Sequence, residues 1–211
     1  MTNHNVMSEQ EQHIGRLFAA ELQFRLASAV RLAVTMGEQP TDLPIQWSHG
    51  KHVVEYKEVA LREDQADFAA QGLQQSATFL MAVVMRDAIA AIVTDAKKHS
   101  NGDIRSAFQI SRLIRNAFAH GPISPRWSID ADCERQTFSV GDIITLDTTG
   151  LNGEQFDWRH YGGPLALLRL CQFVRFEILG DTGKKPSDRV VDDPKIKYYQ
   201  QGPVILRKVD D

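Results

Sequence analysis

Apolar residues recur at three- and four-residue intervals through three long stretches of this 211-residue chain, and that period dominates what it can fold into. Ile14, Leu17, Phe18, Leu22, Leu26, Val30 and Ala33 follow Ser8-Glu9-Gln10-Glu11, which has the form of a capping box, and continue to Gly37. The spacing predicts a first helix over residues 9–36. A second, over 64–97, is rich in alanine and carries Leu73, Phe79, Leu80, Val83, Val84, Ile89 and Ile92. It ends in Lys97-Lys98-His99, charges that favour a helix C-terminus. A third, over 104–120, opens on Asp103 as its N-cap and closes at Gly121-Pro122.

Between the first two helices, Gly37, Pro40, Pro44 and Gly50 mark a long connection, with a short extended piece from Val53 to Leu61. Beyond Pro125 the period changes. Trp127–Asp130, Thr137–Val140 and Ile143–Leu146 read as short strands between glycine and aspartate turns, a β-hairpin or meander over about 127–158. Gly162-Gly163-Pro164 then opens a last helix ending at Gly180, with Leu165, Leu168, Cys171 (or Leu170), Val174 and Ile178 expected inward. The fold class is therefore mainly α, a helical bundle over 1–180 with a small β insertion before its last helix. Residues 181–211, with three prolines among charges, read as an extended C-terminal tail.

Composition narrows the function classes. Lys and Arg number 24 against 27 Asp and Glu, a net charge of −3, which argues against coating nucleic acid through bulk charge and leaves room for a local basic site. Two cysteines cannot build a disulfide framework or a four-thiolate metal site, and they suit a reducing cytoplasm. The N-terminus is polar, without the apolar run of a signal peptide. The most apolar stretch, Ala77 to Val93, is interrupted by Arg86-Asp87 and falls short of the ~20 residues a bilayer core requires. A cytoplasmic protein without a membrane association is expected.

The third helix carries the chemistry. Between Ile104 and Ile129 stand Arg105, Arg112, Arg115 and Arg126, without an acid, around His120. Ala107, Ile110, Ile114, Ala117 and Phe118 share an apolar face, and Arg105, Arg112 and Asn116 lie opposite. Arg115 and His120 sit on opposite borders of the polar face, about 140° apart at ~100° per residue. One rigid helix could not easily bring both tips to a small substrate. A symmetric dimer solves this, with Arg115 of one chain complementing His120 of the other. A guanidinium binds phosphate oxygens through a planar fork, and a histidine moves a proton near neutral pH. RNA supplies its own nucleophile in the 2′-hydroxyl, so this chemistry requires no metal or other cofactor.

Arg115-Asn116-Ala117-Phe118-Ala119-His120 resembles the R-x4-H motif of the HEPN superfamily, in which a polar residue commonly follows the arginine. The resemblance implies a mostly helical fold and metal-independent endoribonuclease activity at a composite dimer site. Arg115 and His120 would be the catalytic pair and Asn116 their polar accessory; Arg105, Arg112 and Arg126 would bind RNA phosphates. It also implies the alternative of a catalytically silent RNA-binding or partner-binding module, and an antitoxin or regulatory protein as a further partner. The resemblance covers about residues 9–125 and 161–180, and the 127–158 insertion departs from a minimal bundle. The plain alternative for the motif is a solvated helix face with His120 as a favourable C-terminal charge.

Other patterns are weaker. His49-Gly50-Lys51-His52 with Glu55 lacks a third metal ligand fixed by spacing. Asp42 with Glu55-Tyr56-Lys57 matches a metal-dependent nuclease pattern in outline, but it falls between two long helices instead of in an α/β sheet. Asp142, Asp147 and Asp157 read as turn formers, one of which could neutralise an arginine across the cleft. Cys133 and Cys171 lack a nearby charged activator and are expected to be structural. Trp127 and Trp158 could stack on bases, but anchoring the β insertion to the bundle is favoured.

Overall fold

The computed structural model describes residues 7–37, 46–55, 61–119, 121–183, 196–201 and 204–209. Its elements are α1 (Glu9–Thr35), β1 (Gln46–His49), β2 (His52–Glu55), α2 (Glu63–Ile92), α3 (Gly102–Ala119), β3 (Thr137–Val140), β4 (Ile144–Asp147), α4 (Gly163–Phe173), β5 (Ile196–Gln201) and β6 (Val204–Val209). The fold is mainly α, with a two-stranded antiparallel hairpin before the last helix, as the periodicity predicts. The chain divides into two units, Met1–Asp181 and Thr182–Asp211.

In the first unit α2 is central, packed against α1 on one side and α3 on the other. α1 begins on the predicted capping box: Ser8 Oγ accepts from the Glu11 amide at 3.2 Å, and the Glu11 carboxylate accepts from the Ser8 amide at 2.7 Å. Its inward face differs from the expected one. Leu17, Ala20, Phe24 and Ala27 are buried, whereas Phe18, Leu22 and Leu26 are 48%, 50% and 65% exposed. The large apolar side chains at i, i+4 and i+8 therefore point away from the core. The face bearing Leu17, Ala20, Phe24 and Ala27 is the one packed into the core.

α2 stops at Ile92, five residues before the predicted end. Val93 is extended and Asp95 takes a left-handed conformation, φ 46°, which aspartate tolerates better than most residues. A 3₁₀ turn over Ala96–Lys98 follows, carrying the lysines off the line of the helix. By length and composition Asp64–Ile92 could cross a membrane, so the shortness argued for Ala77–Val93 does not apply to the helix as formed. Here Met81, Ala82, Met85, Ala88 and Ile89 are fully buried in the protein core.

α3 starts on Asn101, not Asp103: Asn101 Oδ1 accepts from the amides of Asp103 at 2.8 Å and Ile104 at 3.2 Å. The Asp103 carboxylate instead accepts from the Gly141 amide at 3.3 Å, tying the helix start to the β3–β4 turn. Every residue from Ser106 to Ile114 is buried, so α3 is enclosed on nearly all sides and not only along its apolar face. β3 and β4 pair from Thr137–Asp147 to Val140–Ile144 and turn Phe138, Val140, Ile144 and Leu146 inward. The predicted strand at Trp127 reduces to one bridge, Arg126 with Gln155. Trp127 is nonetheless an anchor: it is 1% exposed, its ring lies beside Phe156 and Tyr161, and its indole N–H donates to His160 Nδ1 at 2.8 Å.

α4 enters through Gly162, φ 98°, with proline in its first turn as expected. Ala166, Leu167, Leu170, Cys171 and Val174 are buried, and Leu168 and Ile178 pack half-buried against the core; of the residues expected inward, Leu165 alone is exposed. A π turn over Val174–Ile178 continues the helix and carries Arg175 inward. Arg175 Nη1 meets Glu21 Oε2 of α1 at 2.5 Å and Nη2 meets Asp181 Oδ2 at 2.5 Å, closing the bundle with a buried ion cluster. In the extended piece of the first connection, β2 pairs antiparallel with β1; residues 56–60 and Asp42 of the sequence patterns lie outside the described residues. The second unit is not simply extended: β5 and β6 form an antiparallel hairpin from Ile196–Val209 to Gln201–Val204.

Candidate functional site

Arg115 and Asn116 leave α3 at a cavity of about 390 Å³, lined by Arg86, Lys97, Phe108, Arg112, Arg115, Asn116, Asp130 and Asp132. Four elements build it. α3 supplies Phe108, Arg112, Arg115 and Asn116, and α2 supplies Arg86. The left-handed break at Asp95 brings in Lys97, and the segment around the 3₁₀ turn Ala131–Cys133 supplies the two aspartates.

The aspartates change the electrostatics expected for a helix without nearby acids. Arg112 is buried at 8% exposure, and its guanidinium lies 3.2 Å from Asp130 Oδ2 and 2.6 Å from Asp132 Oδ1. Its Nη2 also reaches Cys133 Sγ at 3.0 Å. Burial alone would disfavour the charge on Arg112, but the two carboxylates beside it raise its pKa above the ordinary value. In return, the hydrogen bond from Arg112 holds the Asp132 carboxyl below the usual range. Cys133 therefore does have a cationic neighbour, contrary to expectation. Burial outweighs it and pushes the thiol up, so the structural role stands on desolvation.

Asn116 joins the aspartates to Arg115. Its Nδ2 donates to Asp130 Oδ2 at 3.0 Å, and its Oδ1 accepts from Arg115 Nη1 at 3.1 Å. Both amide ends are thus assigned, and the Arg115 guanidinium is oriented from Asp130 through the amide. Arg115 is exposed, and among the described residues no carboxylate is paired with it. Arg86 pairs with Asp87 at 2.5 Å with both side chains nearly half exposed, and Lys97 stands 3.8 Å from Asp132.

Of the six residues singled out from sequence, the cavity gathers Arg112, Arg115 and Asn116. Arg105 and Arg126 are exposed outside its lining and donate to backbone carbonyls, of His99 at 3.1 Å and Gly153 at 3.0 Å. His120, the next residue after α3, lies outside the described residues. Sequence reasoning missed Arg86, Lys97, Asp130 and Asp132. Arg86 did leave a signal, a cation inside the most apolar stretch. Lys97 read as a helix-end charge, and the aspartates stand just past the acid-free window.

A second cavity, of about 440 Å³, opens at the start of α4, with Asp142, Arg159, His160, Gly162 and Arg169 in its wall. None of the six residues lines it. The bond from Trp127 makes His160 Nδ1 an acceptor and so places the neutral imidazole's proton on Nε2. Asp157, read as a turn former, caps the 3₁₀ turn Trp158–Tyr161 and pairs with Arg159, whose hydrogen bond lowers the carboxyl to about 2. Among the described residues no three His, Cys, Asp or Glu side chains are grouped to hold a metal ion. Comparison with protein families, with curated proteins and with solved structures returns no match for this chain.

Proposed function

We propose that this chain is a metal-independent endoribonuclease of HEPN type, cleaving RNA by attack of its own 2′-hydroxyl. The observation that carries the reading is the oriented, exposed Arg115 on the wall of a cavity with an excess of cations, five positions before His120 in the sequence. Arg115 binds the phosphate and offsets charge developing on its oxygens. His120 moves the proton to or from a ribose oxygen. Asn116 fixes the arginine.

The functional unit in this reading is a two-fold dimer with Arg115 and His120 contributed by different copies. Its support is the spacing of Arg115 and His120, which at ~100° per helical residue would stand about 140° apart, too far for one rigid helix to bring both to a small substrate. The compartment proposed is the cytoplasm, and an antitoxin-like regulator is a further proposed partner.

The deciding experiment is RNA cleavage in EDTA by wild type, Arg115→Gln, His120→Gln and an equal mixture of the two variants. Wild type is expected to give 2′,3′-cyclic phosphate ends and to spare DNA, and each variant alone to be inactive. The mixture regains part of the activity, since a mixed dimer holds one intact composite site. Cleavage that needs magnesium, or that survives in purified His120→Gln, refutes the reading.

The second reading, a silent RNA-binding or partner-binding module, is favoured by a specific observation: Asp130 and Asp132 consume the charge of Arg112. Under it, wild type binds RNA and cuts none.

A further inference from the structure

Charge and pairing around the α3 cavity are unevenly distributed. Four cations and two carboxylates line it, an excess of two positive charges. Both carboxylates are spent on Arg112: Asp132 at 2.6 Å, and Asp130 at 3.2 Å while it also accepts from Asn116. Arg112 thus forms a neutralised, buried floor. The remaining cations are held loosely. Lys97 stands 3.8 Å from an Asp132 oxygen, beyond hydrogen-bond reach, with both side chains about half exposed. Among the described residues, Arg86 is paired with its neighbour Asp87, and that pair is exposed. Pairs of that kind contribute little to stability, so an incoming anion competes with them at small cost. Arg115 faces the same space with its fork set by Asn116.

We propose that Arg86, Lys97 and Arg115 together form a phosphate-binding subsite, a ring of three cations from three elements closing on one phosphate group. The ligand is phosphate-bearing, because a phosphate carries the charge that offsets the excess and oxygens in several directions, which three converging donors require. Arg115 and Arg86 present planar forks, whereas Lys97 presents a point charge. Phe108 supplies an apolar wall, leaving room for the group to which the phosphate is attached. As a substrate subsite this rests on the endoribonuclease reading; as a binding site it does not. Two sources share the chemistry, the backbone of an RNA strand and a free mononucleotide or pyrophosphate.

The test is calorimetric titration of the full chain with pyrophosphate, with a 5′-mononucleotide and with a short single-stranded RNA. Wild type is compared with Arg86→Gln, Lys97→Gln and the exposed-cation control Arg169→Gln. Either subsite substitution is expected to weaken pyrophosphate binding about tenfold or more, with the control unchanged. If RNA is the physiological source, each subsite substitution also lowers the salt dependence of RNA binding by about one counterion. If the source is a small phosphate compound, RNA affinity stays put while mononucleotide affinity falls. The proposal is overturned if wild type binds none of the three ligands, or if Arg86→Gln and Lys97→Gln bind like the control. Wild type that binds phosphate at this subsite and leaves RNA uncut defeats the endoribonuclease reading and not the subsite.

Discussion

Asn116 donates to Asp130 at 3.0 Å and accepts from Arg115 at 3.1 Å, so a carboxylate fourteen positions further along the chain sets the direction of an exposed arginine. Removing either link leaves Arg115 charged but undirected. Asn116→Ala is expected to reduce RNA cleavage by about 10–100-fold, a typical consequence of losing alignment with the reacting group intact. The measurement is kcat at saturating RNA, with circular dichroism unchanged. A variant as fast as wild type contradicts the positioning role.

Arg115→Lys keeps the charge and loses the fork. Cleavage should fall well below wild type, because an ammonium is a point charge without the planar fork that pairs with two phosphate oxygens while a further N–H is held by Asn116. His120→Ala should lose about 10²–10⁴-fold through proton transfer, yet still bind RNA. Parallel cleavage and filter-binding assays on both variants separate catalysis from affinity.

The Glu21–Arg175 pair, buried at 2.5 Å, joins α1 to the turn after α4. Among the described residues, Arg175→Ala leaves Glu21 with Arg25 and Gln172, and should cost about 3–5 kcal/mol, as broken buried pairs do. Urea unfolding provides the check. A loss within the scatter of surface substitutions indicates that water reaches the cluster.

Asp157 gives a pH signature. Its folded-state pKa, about 2, lies below the ordinary carboxyl value because Arg159 donates to it. Its contribution is therefore present above the unfolded-state value of about 4 and is lost as pH falls through about 2. Asp157→Asn retains a cap oxygen and removes the charge. Its melting temperature should lie below wild type near neutrality, and the gap should close between about pH 4 and pH 2. Because Arg159 is largely solvent-exposed, the gap should also shrink in high salt.

Both thiols are buried, and burial pushes Cys171 up to about 12. A thiol-specific disulfide reagent at mildly alkaline pH should label neither in the native protein and both after denaturation. Rapid labelling of Cys133 in the native state would show that the 3₁₀ turn beside Arg112 opens readily.

Much of the fold is legible in the sequence because its signals are local. The Ser8 capping box, the glycine-rich entry to α4 and the alternation in Thr137–Val140 each lie within a few residues of what they determine. Arg115 and Asn116 reach one cavity for the same reason, being adjacent on a single helix. The hairpin of β5 and β6 also had a local signal, Tyr198-Tyr199 and Val204-Ile205-Leu206 on either side of Gly202-Pro203, which the surrounding prolines and charges of the tail outweighed in the expectation of an extended segment.

Sequence by itself determined that α1 is a helix with an apolar stripe at 18, 22 and 26; only the tertiary structure decided that this stripe faces outward. Helical period reports which side chains align, while burial depends on which neighbouring surface comes close, and the core closed on the side of Leu17, Ala20, Phe24 and Ala27. The same holds for charge. An acid-free run from Ile104 to Ile129 predicts a basic face, yet Arg112 is neutralised by Asp130 and Asp132, and Arg86 and Lys97 join Arg115 from other elements. Coulomb attraction acts through space, so the electrostatics of a site belong to the folded chain and not to any window of its sequence.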